Sequence, residues 1–351
     1  MQPRVFILDK PVGMTSYDVI RQLKQTVPYL KSRKAKVGHL GTLDPFASGL
    51  LLVAVGGASK LNDYIHRYFS KTYLAEGIIG IGSASGDPTH PISVVEEDLS
   101  LLERLSATPL PTLQEKLQQN FVNTEYLQTP PAYSACKHQG KPLYEWAREG
   151  VTISKNAVPR TIYMLNLLEI SALSCGQISP YLQADASTLN KISNIRPVRL
   201  LIRTCVSSGT YIRTLFEDIA KSLGTVGVLL NLRREAIGHL HLGMTRDITL
   251  EQYSPNEIFP LPNIVVNSKQ IYRFLNGNSI PVENKNREGA ADNEDNEKVY
   301  PLHGPERPQG LYWVMTAGGG GSVSRSSGGA AELGLARLEQ NNYKPLIIWN
   351  F

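Results

Sequence analysis

The chain has 351 residues, 42% of them apolar, with a formal net charge of +5. That is long enough for more than one domain and too apolar for a disordered protein. The longest uncharged apolar stretch, residues 49–58, is far short of the roughly 20 that a membrane helix needs, and Met1-Gln2-Pro3-Arg4 lacks the basic-then-apolar pattern of a secretory leader.

Residues 5–8 predict a strand. Pro11 and Gly13 then break the chain, and Thr15 or Ser16 stands where a cap is needed for a helix over 17–26, whose Val19, Ile20 and Leu23 recur at helical spacing. A glycine-rich loop spans 38–49 and an apolar, strand-like run follows over 50–55. A helix is expected over 60–68, a strand over 72–81, helices over 113–121 and 141–149, and strands over 162–170 and 198–206. Between those last two lies a Ser/Asn-rich stretch, 171–195, read as an irregular insertion. A helix over 211–223 stops at Gly224. Strand and helix interleave without regular βαβ spacing, which predicts α+β rather than a doubly wound sheet. Composition changes after Pro262. Residues 283–298 are polar and charged, and 317–330 are mostly Gly and Ser; both read as flexible insertions within a small β-rich module at 263–351.

Several familiar motifs fail on spacing. Gly56-Gly57-Ala58-Ser59-Lys60 lacks the glycine directly before the lysine of a phosphate loop, and Gly80-x-Gly82 lacks the third glycine of a dinucleotide fingerprint. Cys136, Cys175 and Cys205 include no Cys-x-x-Cys, so no disulfide framework or cysteine zinc site is expected, and this usage fits a reducing cytosol. His239 and His241 could share one face of a strand, but no third ligand lies near them. No metal and no organic cofactor is expected.

Charge placement says more than net charge. Lys31, Arg33, Lys34 and Lys36 crowd together just before Gly38-His39, and Arg196, Arg199, Arg203 and Arg213 form a second basic series. Both stretches are read as candidate phosphate contacts. The segment Lys36-Val37-Gly38-His39-Leu40-Gly41-Thr42-Leu43-Asp44-Pro45-Phe46-Ala47-Ser48-Gly49 follows the first of them. Its glycines bracket one histidine and one carboxylate on a loop. Taken alone, Asp44 reads first as a turn-former or helix cap, and His39 as a structural residue.

Together with its surroundings, this segment closely resembles the active-site motif of TruB-type tRNA pseudouridine synthases. The resemblance continues in Lys10-Pro11-Val12-Gly13-Met14-Thr15-Ser16, in Lys71-Thr72-Tyr73, and in Pro130-Pro131-Ala132-Tyr133-Ser134-Ala135 with Lys137, Gly140 and Lys141. It extends to Gly209-Thr210-Tyr211-Ile212-Arg213-Thr214 and Leu232-Arg233-Arg234. These matches keep their order over roughly residues 10–234. The stretch Gly82-Ser83-Ala84-Ser85-Gly86-Asp87-Pro88 departs from the family's usual pattern, with Asp87 in the acidic place. Residues 271–282, with Asn276-Gly277-Asn278, faintly resemble the opening of a PUA-like RNA-binding module.

The resemblance implies a catalytic domain over 1–262 built on a mixed, largely antiparallel sheet (the pseudouridine synthase fold) and a small β-rich PUA-like domain over 263–351. It implies isomerisation of uridine 55 in the T loop of tRNA, with Asp44 as the covalent nucleophile and Arg213 as the cation that keeps it ionised. Tyr73 would stack on the uracil and move a proton, Tyr211 and Leu232 would line its pocket, and Lys60 would be a pocket lysine. His39 would fill the stack left by a flipped base. The expected partner is the tRNA T arm, with no membrane, no obligatory protein partner, a monomeric state and a cytoplasmic location. A tRNA chaperone without turnover and the catalytic subunit of a guide-RNA particle are the alternatives.

Overall fold

The computed structural model describes residues 2–32, 34–178, 183–244, 252–282, 311–316, 332–340 and 342–349. The expected flexible insertions at 283–298 and 317–330, and Arg33 of the basic run, lie outside these. The chain forms two compact units. One comprises residues 1–44, 49–69 and 237–351, and the other residues 45–48 and 70–236.

In the first unit the strand Arg4–Lys10 runs antiparallel to Ser48–Val55, from Arg4 opposite Val55 to Lys10 opposite Gly49. Side chains alternate across such a ribbon, so one sequence supplies two cores. Phe6, Leu8, Leu51, Val53 and Val55 pack with Val19, Ile20 and Leu23 of the helix Ser16–Thr26. That helix begins at a capping box in which Thr15 and Asp18 satisfy each other's backbone, so that of the two candidates, Thr15 and Ser16, the cap is Thr15. The alternate residues Val5, Ile7, Leu50, Leu52 and Ala54 share a core with Leu61, Ile65, Phe69 and Phe259. Trp313, Leu335, Ile347 and Trp349 complete it.

Trp313, Leu335 and Ile347 belong to a sheet formed late in the chain, and Trp349 directly follows its strand Asn342–Ile348. Asn263–Val266 pairs in parallel with Leu311–Thr316; Glu332–Glu339, Asn342–Ile348 and Ile280–Pro281 then follow, each antiparallel to its neighbour. The helix Ser268–Leu275 carries a capping box of Asn267 and Gln270 and buries Phe274. The region is β-rich, as expected.

In the second unit, strands Ile162–Ala172, Val198–Val206, Lys71–Ile79 and Gly227–Ile237 lie side by side in that order. The helix Ile212–Ser222 packs against them where glycine clears the way. A Cβ on Gly77 would stand 2.3 Å from the Phe216 ring, and one on Gly227 2.7 Å from Ala220. Leu113, Leu117 and Phe121 are the buried stripe of the helix Leu110–Phe121. Gln114 of that helix donates to the Leu165 carbonyl at 2.7 Å and accepts from the Leu167 N–H, where the edge strand's register shifts.

The α+β class expected from the sequence is what the chain adopts. Two segments differ. The stretch 171–195 holds the helices Cys175–Ile178 and Ala186–Ser193, the second capped by Asp185 and anchored by buried Ile192. A further helix, Leu99–Ala107, is capped by Asp98 and buries Leu102 and Leu105. Ala186–Ser193 is short and mostly polar, with too few apolar repeats to stand out from loop, whereas Leu99, Leu102 and Leu105 do recur at helical spacing and mark the other helix. Among the described residues no helix is long and apolar enough to cross a membrane.

Candidate active site

The loop that carries Asp44 is held from below by the segment that precedes the first helix. The Lys10 ammonium, fully buried, donates to the carbonyls of Pro11 at 2.9 Å and Met14 at 2.6 Å, and so closes the turn on itself. Gly13 takes a φ of +87° in that turn, which favours glycine. The next residues are the Thr15 cap and Ser16. Ser16 Oγ accepts from the Leu43 N–H at 3.0 Å and donates back to the Leu43 carbonyl at 3.3 Å. The residue before Asp44 is therefore gripped at both backbone groups by one buried hydroxyl. Asp44 itself is half-buried. His39 is also half-buried, on the strand Val37–His39, where it stands opposite Val53.

Lys60 ends up elsewhere in the same unit. It lies in the last turn of a 3-10 segment, Gly56–Leu61, and its exposed amine donates to the Ile348 carbonyl at 3.1 Å. Gly57 in that segment is covered by the Trp349 ring, which a Cβ would meet at 2.7 Å. The glycine pair that superficially suggests a phosphate loop is a seat for an indole.

In the second unit Arg213 is the organising charge. It sits in the first turn of Ile212–Ser222, buried, with its guanidinium held by several groups. It donates to the Ser85 carbonyl at 2.9 Å and the Tyr133 carbonyl at 2.7 Å, and lies 3.2 Å from an Asp87 carboxylate oxygen. Asp87 is in turn held by the Ser85 hydroxyl at 2.7 Å, by the Thr89 N–H at 2.9 Å and by the Thr89 hydroxyl. The segment that departs from the family pattern thus still delivers an acid to this arginine. A planar guanidinium fixed at several donors presents its remaining face in one orientation.

One turn further along, Glu217 is pushed up to about 7. Burial is the main cause, opposed by the nearby Arg213 and assisted by Asp218 and Asp87. Tyr126 donates to Asp218 at 2.6 Å, and burial together with that acceptor raises its hydroxyl well above the usual phenol range.

Tyr211 caps this helix with its backbone, and buried Gln128 grips it. The Gln128 amide accepts from the Tyr211 N–H at 2.8 Å and donates to the Tyr211 carbonyl at 3.0 Å and the Tyr126 hydroxyl at 3.0 Å. Tyr73 and Leu232, both buried, belong to the adjacent strands Lys71–Ile79 and Gly227–Ile237. The sequence marked Ser16 only as a candidate helix cap and motif residue, and did not mark Gln128. Each acts across a long gap in sequence, and no local pattern marks that contact.

The two basic stretches behave differently. Arg199 bonds Glu76 at 2.5 Å and Glu169 at 2.6 Å, and Arg203 bonds Glu235 at 2.8 and 3.1 Å. These side chains lock strands together rather than standing ready for phosphates, contrary to the reading from sequence. A cross-strand carboxylate within reach is a better partner than solvent for a half-buried guanidinium. Lys31, Lys34 and Lys36 are exposed and make no ion pair among the described residues. No group of three or more potential metal ligands occurs among the described residues. His239 packs edge-on against the Phe69 ring, and burial lowers its imidazole below the ordinary value.

Residues 29–212 match the family model described as TruB family pseudouridylate synthase (N terminal domain). The chain is 32% identical over 288 residues to the tRNA pseudouridine synthase B of Hydrogenovibrio crunogenus, covering 80% of this chain and 82% of that one. It is 33% identical over 311 residues to the enzyme of the same name from Ralstonia pickettii, covering 84% of each. Among solved structures, a chain in a Cbf5-Nop10-Gar1 complex has the same fold, with a TM-score of 0.55 at 19% identity over 99% of this chain and 84% of that one.

Proposed function

The chain belongs to the TruB family of pseudouridylate synthases, isomerases by chemistry, and on that premise we propose that it converts uridine 55 in the T loop of tRNA to pseudouridine with Asp44 as nucleophile. The relatives' name supplies the substrate class. The observation that carries the residue-level reading is the buried Arg213, held by the Ser85 and Tyr133 carbonyls and by Asp87, an immobile cation of the kind a carboxylate nucleophile requires.

The reaction breaks a C–N glycosidic bond, turns the base and rejoins it through carbon. In this reading Asp44 attacks in its ionised form, which Arg213 favours, and forms a transient covalent adduct. The backbone grip of Ser16 on Leu43 limits the freedom of the attacking side chain. Tyr73 stacks on the uracil and takes a proton during rearrangement, and Tyr211 and Leu232 wall the pocket so that water does not intercept the detached base. His39 occupies the gap the flipped nucleotide leaves. Lys60 has a supporting part, joining its turn to the C-terminal strand.

We assign residues 1–262 to catalysis and 263–351 to a PUA-like module that binds RNA. The exposed Lys31, Lys34 and Lys36 serve as phosphate contacts. The protein acts as a monomer in the cytoplasm, without a guide RNA or protein partner. Tritium release from T-arm RNA labelled at uracil C5, with purified protein and nothing else added, tests this. Wild type is expected to turn over and Asp44→Asn to lose turnover while still binding the RNA. Full turnover by Asp44→Asn would remove it as nucleophile, and activity only on addition of a guide RNA would favour the particle subunit.

A further inference from the structure

The strand Lys71–Ile79 carries a second group whose placement asks for a reason. Lys71 and Tyr73 are two positions apart, so their side chains leave the same face of the strand, opposite Val206 and Thr204 of the neighbouring strand. On the other neighbouring strand Leu232 and Arg234 repeat that spacing. Lys71 is 5% exposed and Arg234 fully buried. The Lys71 ammonium makes one hydrogen bond, to Ser208 Oγ at 3.1 Å, and has no carboxylate within ion-pair distance among the described residues. Burial, and then the charge on Arg234, lowers it to about 7.

A lysine so placed is costly. An ammonium has three donors, and here one acceptor meets it in a dry setting next to another cation. Nothing in the packing of the sheet calls for that charge. The proposed reaction does. When the C1′–N1 bond breaks, its electron pair leaves with the base, and the detached uracil is an anion. C5 of the turned base then bonds C1′ as the C1′–Asp44 ester bond breaks and returns its electron pair to the carboxylate; loss of the C5 proton and gain of a proton at N1 complete an isomerisation with no net change in atoms or electrons. A positive field fixed in advance where water is excluded stabilises such a transient anion without reorganising.

We propose that Lys71, beside Arg234, supplies the field that stabilises the uracil anion held at Tyr73 and Leu232. Lys71 acts on the base at a distance, as a supporting residue and not as a group that touches it. Among the described residues its ammonium is hydrogen-bonded to the Ser208 hydroxyl and repelled by the Arg234 charge, with Tyr73 two positions along the same face of its own strand. This inference rests on the reading of the site given above.

The test is Lys71→Met, close in shape and uncharged, assayed on T-arm RNA across pH 6–9 beside wild type. The kcat is expected to fall about 10- to 100-fold with KM for the RNA unchanged and the melting temperature equal or higher. Wild-type kcat should decline above neutrality as the ammonium loses its proton, and that decline should vanish in the variant. Lys71→Arg, which keeps the charge, should recover part of the loss. Wild-type kcat in Lys71→Met overturns the inference. So does a fall in kcat that tracks a lowered melting temperature and keeps the wild-type pH profile. Wild type is measured first: an active wild type matched by the variant refutes only Lys71, whereas an inactive wild type refutes the function itself.

Discussion

Ser16 spends no charge and touches no candidate substrate, yet its hydroxyl holds both backbone groups of Leu43. Ser16→Ala leaves a buried N–H without its acceptor, which costs about 1–3 kcal/mol. A drop of that size in urea unfolding is expected, with kcat falling and RNA affinity largely kept; equal stability in the two proteins would show that the loop finds another support. Glu217 gives a pH-dependent counterpart. Its carboxyl, ordinarily near 4.5, is raised to about 7 in the folded protein, so the native state holds the proton more tightly than the unfolded chain. Stability therefore falls as pH rises from about 4.5 to 7, and the penalty is fully present above that window and absent below it. Glu217→Gln should raise stability at pH 8 by roughly 1–3 kcal/mol and leave it nearly unchanged near pH 4.5. A variant equally stabilised at both pH values would contradict the burial argument.

At the scale of elements, the helix Ile212–Ser222 lies close to its sheet because Gly77 has no side chain. Gly77→Ala would drive a methyl into the tip of the Phe216 ring, which is buried and also lies close to Gly227. A loss of about 2 kcal/mol or more is expected in thermal or denaturant melts, with Tyr211 and Arg213 displaced and turnover reduced. Gly77→Ala together with Phe216→Leu should recover part of the stability. This is also the scale at which the sequence is most and least informative. The helix over 16–26 announces itself through the Thr15 cap and the spacing of Val19, Ile20 and Leu23, because both signals are local. The helix Ala186–Ser193 is short and mostly polar, so no local periodicity separates it from loop, whereas Leu99–Ala107 does carry a local signal in its Asp98 cap and the spacing of Leu99, Leu102 and Leu105. The motif residues of the candidate site are readable as residue types. Their supports are not: Ser16 reaches 27 positions to Leu43, Gln128 reaches 83 to Tyr211, and Lys71 reaches 137 to Ser208. Contacts of that span depend on the tertiary fold.

Across the whole molecule, the late sheet and the first strands of the chain share one core. Trp313 and Trp349 stack with ring centroids 6.1 Å apart and sit in the same cluster as Val5, Ile7, Leu50 and Leu52. The division proposed at residue 262, between catalysis and RNA binding, is therefore one of task, because this hydrophobic core spans it. Truncation after Pro262 removes both tryptophans, Leu335 and Ile347 and uncovers their apolar partners. The truncated protein should melt at lower temperature, bind a hydrophobic dye and aggregate; a soluble fragment with an unchanged melting temperature would show that the cluster contributes little.

Mapping pseudouridine at single-nucleotide resolution along an unmodified tRNA transcript bears most directly on the central claim. After exposure to the purified chain alone, the account predicts one new pseudouridine, at T-loop uridine 55, and none with Asp44→Asn. A transcript left unmodified by wild type, or converted at other uridines while 55 stays intact, would contradict it.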